Sequence, residues 1–178
     1  GGELAITQLL MQGRNPYALA ELPAGTDVYG ILYNALVTPF ALAFGNNLSV
    51  HRAVSAVAIL AACFLMHRML RQRGTEPGLA LAGLLVFYLA SIYFVAPLAR
   101  PDGVALLLSV AAMAVLYRDD VTTGRFLAGL SLAVAALFTK LYLAYPPFVL
   151  AAYVLLSRGR WRGLALGVAA AAAATPNA

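Results

Sequence analysis

Residues 78–117 read GLALAGLLVFYLASIYFVAPLARPDGVALLLSVAAMAVLY, and this stretch decides the predicted fold. Its only charged residues, Arg100 and Asp102, lie between two apolar runs of helical length. An α-helix rises about 1.5 Å per residue, so about 20 residues cross the hydrocarbon core of a bilayer. Ionised groups at that depth are costly and usually functional. The stretch therefore predicts two membrane-spanning helices joined by a functional polar segment.

The composition of the whole chain favours the same environment. Of the 178 residues, 62% are hydrophobic and 11% are charged, whereas soluble domains contain about 25% charged residues. We therefore expect an all-α, polytopic transmembrane helical bundle with the lipid bilayer as a partner and no nucleic-acid partner. The single cysteine, Cys63, lies in an apolar run, so thiols supply neither a disulfide nor a metal cluster.

We divide the chain into two regions and interpret it as an excerpt of a longer polypeptide. Residues 1–49 are predicted to form a first outer loop with interfacial helices. A helix over 3–12 is too short to cross and ends before Gly13 and Pro16, and residues 28–44 are predicted to dip into the interface without crossing, because Asn34 and Pro39 interrupt them. Residues 50–178 are predicted to hold five to six spans. These spans are 50–70, 78–98, 103–117, 126–139, 141–156 and a sixth from 164 onward.

The orientation follows from the arginines and lysine, because loops rich in these residues stay cytoplasmic. Connections 68–77, 118–125 and 158–163 contain eight of the twelve cations, so we place them inside. The remaining charged groups then gather on the outer face. They are Arg14, Arg52, Arg100 and Lys140 with Glu3, Glu21, Asp27 and Asp102.

Two of the spans are short, which predicts that the outer polar groups lie below the outer surface. The 15 residues of 103–117 make about 22 Å of helix. The 32 residues of 126–157 must go out and back, where two full crossings need about 40 residues. We therefore expect Asp102 and Lys140 to face a common outer cavity that also receives Asp27. The alternatives are that Asp102 caps the helix starting at Gly103, and that Arg52 and Arg100 snorkel to lipid headgroups.

Five short motifs, in this order, resemble the amino-terminal half of a GT-C glycosyltransferase, in the branch that contains protein O-mannosyltransferases and the lipid A aminoarabinose transferase. They are Gly13-Arg14-Asn15-Pro16-Tyr17, Tyr29-Gly30-Ile31-Leu32-Tyr33, Phe44-Gly45-Asn46-Asn47 with Arg52, Arg100-Pro101-Asp102-Gly103 and Phe138-Thr139-Lys140. The acidic pair of the family would fall just before Gly1. At Asp27-Val28-Tyr29 the chain keeps the acid of the family but lacks the lysine that often follows it.

The resemblance implies an enzyme of the inner (plasma) membrane that moves a sugar from a polyprenyl-phosphate donor to a lipid, glycan or protein acceptor on the periplasmic or extracellular face. It makes Glu3 and Asp102 the candidate catalytic carboxylates, since attack by an acceptor hydroxyl needs a base within hydrogen-bond reach. Three cations, Arg52, Arg100 and Lys140, are the candidate ligands of the departing phosphate. No cofactor is certain, although Asp27 and Asp102 could together hold a divalent metal cation.

Two other classes of protein share some of these features. A secondary transporter would also have short, interrupted spans and buried charges, but it would be expected to show internal repeat symmetry, which we do not find in this sequence. A non-catalytic membrane scaffold would account for the helices. It would not explain why four cations and four acids gather on the outer face.

Overall fold

The computed structural model describes residues 2–18, 29–95, 100–118 and 121–157, and this part of the chain is helical without any β-strand. The all-α prediction is therefore confirmed for these residues. The elements are α1 (Gly2–Met11), α2 (Leu32–Phe44), α3 (Leu48–Gln72), α4 (Pro77–Val95), α5 (Asp102–Leu116), α6 (Thr123–Thr139), a 3-10 turn (Leu141–Ala144) and α7 (Tyr145–Ser157). The predicted sixth span lies outside the described residues.

The helix boundaries follow from local chemistry. Gly13 ends α1 with φ of 69°, a left-handed conformation that glycine adopts without strain. Asn47 caps α3, because its side chain accepts a hydrogen bond from the backbone N–H of Val50 at 3.1 Å. In the predicted segment 28–44 the helix begins at Leu32, and the predicted helix 141–156 begins as a 3-10 turn and becomes α-helical only at Tyr145. Pro146 follows at once, in the first turn, where a missing N–H leaves no helical hydrogen bond unmade.

Glu76 caps the start of α4 with its side chain, as Asn47 caps α3. Its carboxylate accepts hydrogen bonds from the backbone N–H groups of Gly78 and Leu79, both at 3.1 Å. These bonds stabilise the ionised form and hold the pKa of the exposed Glu76 carboxyl below its ordinary value.

Helix α5 lies at the centre of the bundle and packs against α3, α6 and α7. Helix α4 packs on α3, while α1 and α2 form a pair that reaches the rest through α3 and α6. Two glycines allow neighbouring helices to approach α5 closely: Gly103 lies on α5 and faces α3, and Gly129 lies on α6 and faces α5. A Cβ atom at Gly103 would lie 2.7 Å from the backbone oxygen of Ser55, and one at Gly129 would lie 2.5 Å from the Leu116 side chain.

Helices α3 and α5 run parallel, which gives the bundle two distinct ends. Gly103 approaches Ser55 at one end, and at the other the guanidinium of Arg73 lies 4.1 Å from the Tyr117 ring and donates a hydrogen bond to the Tyr117 carbonyl at 2.9 Å. The two contact points are separated by about 27 Å along α3. We name these the Asp102 end, with His51, Asp102 and Lys140, and the arginine end, with Arg68, Arg73, Arg118 and Arg125.

The flanks of the bundle between these ends are apolar. On α3, Val57, Leu60 and Phe64 are exposed, whereas the polar side chains of His51 and Ser55 are buried. In the described part of the chain, α3 is the one helix that is long and apolar enough to cross a bilayer by length and composition, and the other apolar helices are shorter by the same criterion.

Candidate functional site

An ion pair between Asp102 and Lys140 forms the centre of the site. Asp102 is the first residue of α5, and Lys140 directly follows α6. The distance from Lys140 Nζ to Asp102 Oδ1 is 2.5 Å, and the two side chains are only 5% and 8% exposed, Lys140 first. The hydroxyl of Tyr142 donates a second hydrogen bond to the same carboxylate oxygen at 3.0 Å. The carboxylate therefore has a charged and a neutral donor, and its side chain is largely buried.

The end of α6 places Lys140 against α5. Its backbone is extended, with φ of −160° and ψ of 114°, while its N–H still donates to the carbonyl of Ala136 at 2.7 Å. The 3-10 turn that follows brings Tyr142 back over Asp102. Ser109 of α5 donates a hydrogen bond to the carbonyl of Leu143, which ties the turn to the central helix.

Residues 29 and 30 cover the ammonium group from the other side. Lys140 Nζ lies 4.5 Å from the centre of the Tyr29 ring and 4.9 Å from that of the Tyr142 ring, within the range of cation–π attraction. Gly30 donates a hydrogen bond to the carbonyl of Thr139 at 3.3 Å. A Cβ atom at Gly30 would lie 1.4 Å from the carbonyl oxygen of Phe138, so only glycine permits this approach.

A cavity of about 380 Å³ adjoins the ion pair, within the range of about 300–1,000 Å³ for small-molecule sites. It is lined by Tyr29, Arg100, Asp102, Leu106, Lys140, Tyr142 and Leu143. The second carboxylate oxygen, Asp102 Oδ2, is buried and has no hydrogen-bond partner among the residues that the structure describes. A buried acceptor without a partner is costly, so a ligand hydroxyl that donates to it would be bound favourably.

The charges of the site favour an anionic ligand. Among the lining residues that the structure describes, Arg100 and Lys140 supply two cations against the single carboxylate of Asp102. Burial of the Lys140 ammonium opposes ionisation, but its interactions with Asp102 and Tyr142 outweigh that effect and raise the pKa of Lys140 above its ordinary value.

The structure brings together three of the residues singled out in the sequence, namely Asp102, Lys140 and Arg100. The alternative that Asp102 caps a helix starting at Gly103 is wrong. Helix α5 begins at Asp102 itself, no side chain caps it, and the Asp102 carboxylate binds Lys140 and Tyr142 instead.

Two further predictions concern Arg52, the third candidate phosphate ligand, and the candidate metal site of Asp27 and Asp102. Arg52 is exposed on α3 and is not among the residues that line the cavity. Asp27 lies outside the described residues, as does Glu21. Within the described ranges no three His, Cys, Asp or Glu residues come together as a metal site, and the ammonium of Lys140 already provides the counter-charge at Asp102 Oδ1.

Glu3, the second candidate catalytic carboxylate, belongs to a separate cluster between α1 and α2. Glu3 is buried, and its Oε2 accepts a hydrogen bond from Asn34 Nδ2 at 2.8 Å. Thr7 donates to Asn34 Oδ1 at 2.9 Å. Glu3 does not line the cavity beside Asp102, so the structure does not bring the two candidate carboxylates into one site.

A buried polar network, which was not predicted from the sequence, connects α2 to the Asp102 segment. The Tyr33 hydroxyl donates to the His51 carbonyl at 3.2 Å and lies 3.4 Å from Ser55 Oγ and from His51 Nδ1. Ser55 Oγ donates in turn to the carbonyl of Arg100 at 3.0 Å. The spacing of His51 and Ser55 was the available signal, because residues i and i+4 share one face of a helix.

The chain matches no family model, no curated protein and no solved structure. The functional proposal therefore rests on the chemistry of the cavity and on the resemblance of the motifs.

Proposed function

We propose that this protein is an integral-membrane glycosyltransferase that moves a sugar from a polyprenyl-phosphate carrier to an acceptor at the Asp102 end of the bundle. The observation that carries the proposal is the cavity in which Asp102, Lys140 and Arg100 lie together. A carboxylate and two cations in one partly enclosed pocket supply the groups that this transfer needs. The motif resemblance supports the same reaction class.

The membrane placement is supported by the surface of the bundle. Exposed apolar side chains cover the flanks of α3 and α4, and helices in lipid place polar residues inside the bundle and apolar ones outside. The arginine end and the Asp102 end lie at opposite ends of α3 and α5. By the bias of arginine and lysine, the arginine end faces the cytoplasm and the Asp102 end faces outward.

The proposed chemistry assigns a role to each group that lines the cavity. The acceptor hydroxyl attacks the anomeric carbon, and a new C–O bond forms while the bond from that carbon to the phosphate oxygen breaks. The phosphate leaves with the bonding electrons and is stabilised by Lys140 and Arg100. The acceptor proton passes to the Asp102 carboxylate, whose Oδ2 has no hydrogen-bond partner among the described residues. We assign this role to Asp102 rather than Glu3 because Glu3 lies in the α1–α2 cluster.

The test of the reaction uses the intact enzyme in proteoliposomes with a panel of radiolabelled polyprenyl-phosphate hexoses and pentoses. Release of polyprenyl phosphate is the readout. General acid–base groups contribute about 10²–10⁴-fold, so Asp102→Asn should lower the rate by at least about 10²-fold, and Lys140→Ala should weaken donor binding as well. Arg14→Gln removes an exposed cation that does not line the cavity and serves as the control. Full transfer by Asp102→Asn would refute the assignment.

The membrane placement has its own test, which does not depend on activity. Single cysteines at positions 15 and 74, introduced with Cys63→Ala, are treated in intact cells with a thiol reagent that does not cross membranes. Asn15 is exposed near the Asp102 end, and Gly74 lies in the turn at the arginine end. We expect labelling at 15 alone. Labelling at 74 alone would reverse the orientation, and equal labelling at both positions would exclude a bilayer between them.

A further inference from the structure

A second cavity, of about 230 Å³, lies at the arginine end between α3, α5 and α6. Its cationic lining comes from Arg68, Arg118 and Arg125, and its apolar lining includes Leu65, Met69 and Val115. Arg68 and Arg118 are exposed, whereas the three apolar side chains are half-buried. The cavity thus combines an accessible cationic rim with an apolar floor.

We propose that this cavity binds the phosphate headgroup of an anionic phospholipid of the inner leaflet. Arginine is the side chain best suited to phosphate, because its planar guanidinium donates two parallel hydrogen bonds to phosphate oxygens. Basic pockets between membrane helices on the cytoplasmic side are suited to anionic lipid headgroups. The proposal rests on the membrane placement given above, and it does not depend on the transferase activity.

The order of the lining residues along the helices favours a lipid over a small soluble anion. On α3, the apolar Leu65 precedes Arg68 by about one turn, so the cation of this helix enters the lining only towards the helix end, beside the apolar Met69. On the α5 side, Val115 precedes Arg118 in the same direction. A phospholipid has this polarity along the bilayer normal, with the phosphate at the surface and the acyl chains below it. A free phosphate would gain nothing from the apolar floor.

The charge balance at this end also favours an anion. Among the described residues at this end, five arginines stand against one acid, Glu76; the arginines are Arg68, Arg71, Arg73, Arg118 and Arg125. The Glu76 carboxylate caps α4, and Asp119 and Asp120 lie outside the described residues. Arg71 donates a hydrogen bond to the Thr75 carbonyl at 2.7 Å and does not line the cavity, so it is a matched control for loss of one charge.

The experiment measures lipid retention by native mass spectrometry of the intact protein in neutral detergent. The probes are dioleoylphosphatidylglycerol and, as a zwitterionic comparison, dioleoylphosphatidylcholine. One basic residue near an anionic membrane surface contributes about fivefold in affinity. Arg68→Gln and Arg118→Gln should therefore each weaken phosphatidylglycerol binding about fivefold, and the double variant about 25-fold. We expect Arg71→Gln to change it less than about twofold.

Further arms of the experiment distinguish a bound lipid from a bound free anion and from a general effect of charge. Inorganic phosphate should not displace phosphatidylglycerol, and phosphatidylcholine should bind more weakly and respond little to the variants. The charge-keeping variant Arg68→Lys/Arg118→Lys should bind more tightly than the double glutamine variant but more weakly than the unchanged protein, with unchanged helical circular dichroism, because lysine keeps the charge but not the two parallel hydrogen bonds. Displacement by inorganic phosphate, an equal loss in Arg71→Gln, or no recovery with lysine would each overturn the proposal. Because the readout is lipid retention, failure of the transferase assay does not affect it.

Discussion

Replacing Lys140 by methionine is the perturbation whose size the structure predicts most directly. It removes the ammonium group that lies 2.5 Å from Asp102 Oδ1, in a pair whose side chains are 5% and 8% exposed. Tyr142 keeps its hydrogen bond to the carboxylate, but no charged donor to Asp102 remains among the described residues. Breaking a buried pair by removing one partner costs about 3–5 kcal/mol, whereas an exposed pair contributes at most about 1 kcal/mol. Because both side chains are largely buried, we expect the cost of a broken buried pair, about 3–5 kcal/mol.

The assay is thermal unfolding of the purified protein in detergent, followed by helical circular dichroism. For a chain of this length each kcal/mol moves the midpoint by about 2–4 °C, so Lys140→Met should lower it by about 6–20 °C. In the double-mutant cycle, Asp102→Asn/Lys140→Met should be more stable than the sum of the single losses predicts, because no unpaired charge remains buried. If each single variant costs less than about 1 kcal/mol and the two costs add, solvent screens the pair and the protected cavity is wrong.

The remaining predictions use other parts of the bundle. Gly103→Ala places a Cβ atom 2.7 Å from the Ser55 carbonyl oxygen and should lower the free energy of unfolding by about 1–3 kcal/mol. The control is Gly124→Ala, where a Cβ atom meets nothing within 4 Å, and it should stabilise α6 by up to about 1 kcal/mol. Equal shifts of the melting temperature in the two variants would contradict this prediction. The cap that Glu76 provides should be fully present above the ordinary pKa of a glutamate and be lost as the pH falls through its lower folded-state pKa, so the melting curves of the protein and of Glu76→Gln should converge in acid. Tyr33→Phe removes a buried hydroxyl from the network with Ser55 and should cost about 0.5–1.5 kcal/mol by thermal unfolding, and no measurable loss would mean that the network is not formed.

The helices were predictable because charges and helix-breaking residues bound each apolar run. Residues 103–117 were predicted to form a 15-residue helix, and α5 covers Asp102–Leu116 with the same length. The short helix over 3–12 appears as Gly2–Met11. In the proposed bilayer the backbone of such runs must satisfy its own hydrogen bonds, so the length of the run leaves little choice of structure.

The faces of the helices were not predictable to the same degree. His51 and Arg52 are neighbours in the sequence, but successive residues of a helix point about 100° apart, and the structure buries His51 while exposing Arg52. Helix α3 is apolar on most of its surface, so no hydrophobic stripe indicates which side faces the bundle. The motif that contains Arg52 therefore predicts that this residue lies on a helix, but it does not predict which way the Arg52 side chain points.

The pairing of Asp102 with Lys140 was only partly predictable. The short spans predicted that both residues lie below the outer surface and face a common cavity, and the structure has them in contact. The contact depends on details that span lengths do not contain. Lys140 must leave α6 in an extended conformation, and Gly30 must allow the backbone of residues 29 and 30 to approach Phe138. The role of Tyr142 as a second donor to Asp102 depends on the 3-10 turn in the same way.

The ion pair is better explained by chemistry than by stability. Replacing a buried ion pair with apolar groups of similar volume is often neutral or stabilising, so the fold alone does not require Asp102 and Lys140. In the proposed reaction the donor phosphate competes with Asp102 for the ammonium group of Lys140. As Lys140 turns towards the phosphate, the Asp102 carboxylate loses its charged partner at the moment when the acceptor hydroxyl must be deprotonated. A variant that lacks both charges, Asp102→Asn/Lys140→Met, should therefore remain folded and inserted but transfer no sugar, which separates the catalytic need for the pair from any structural need.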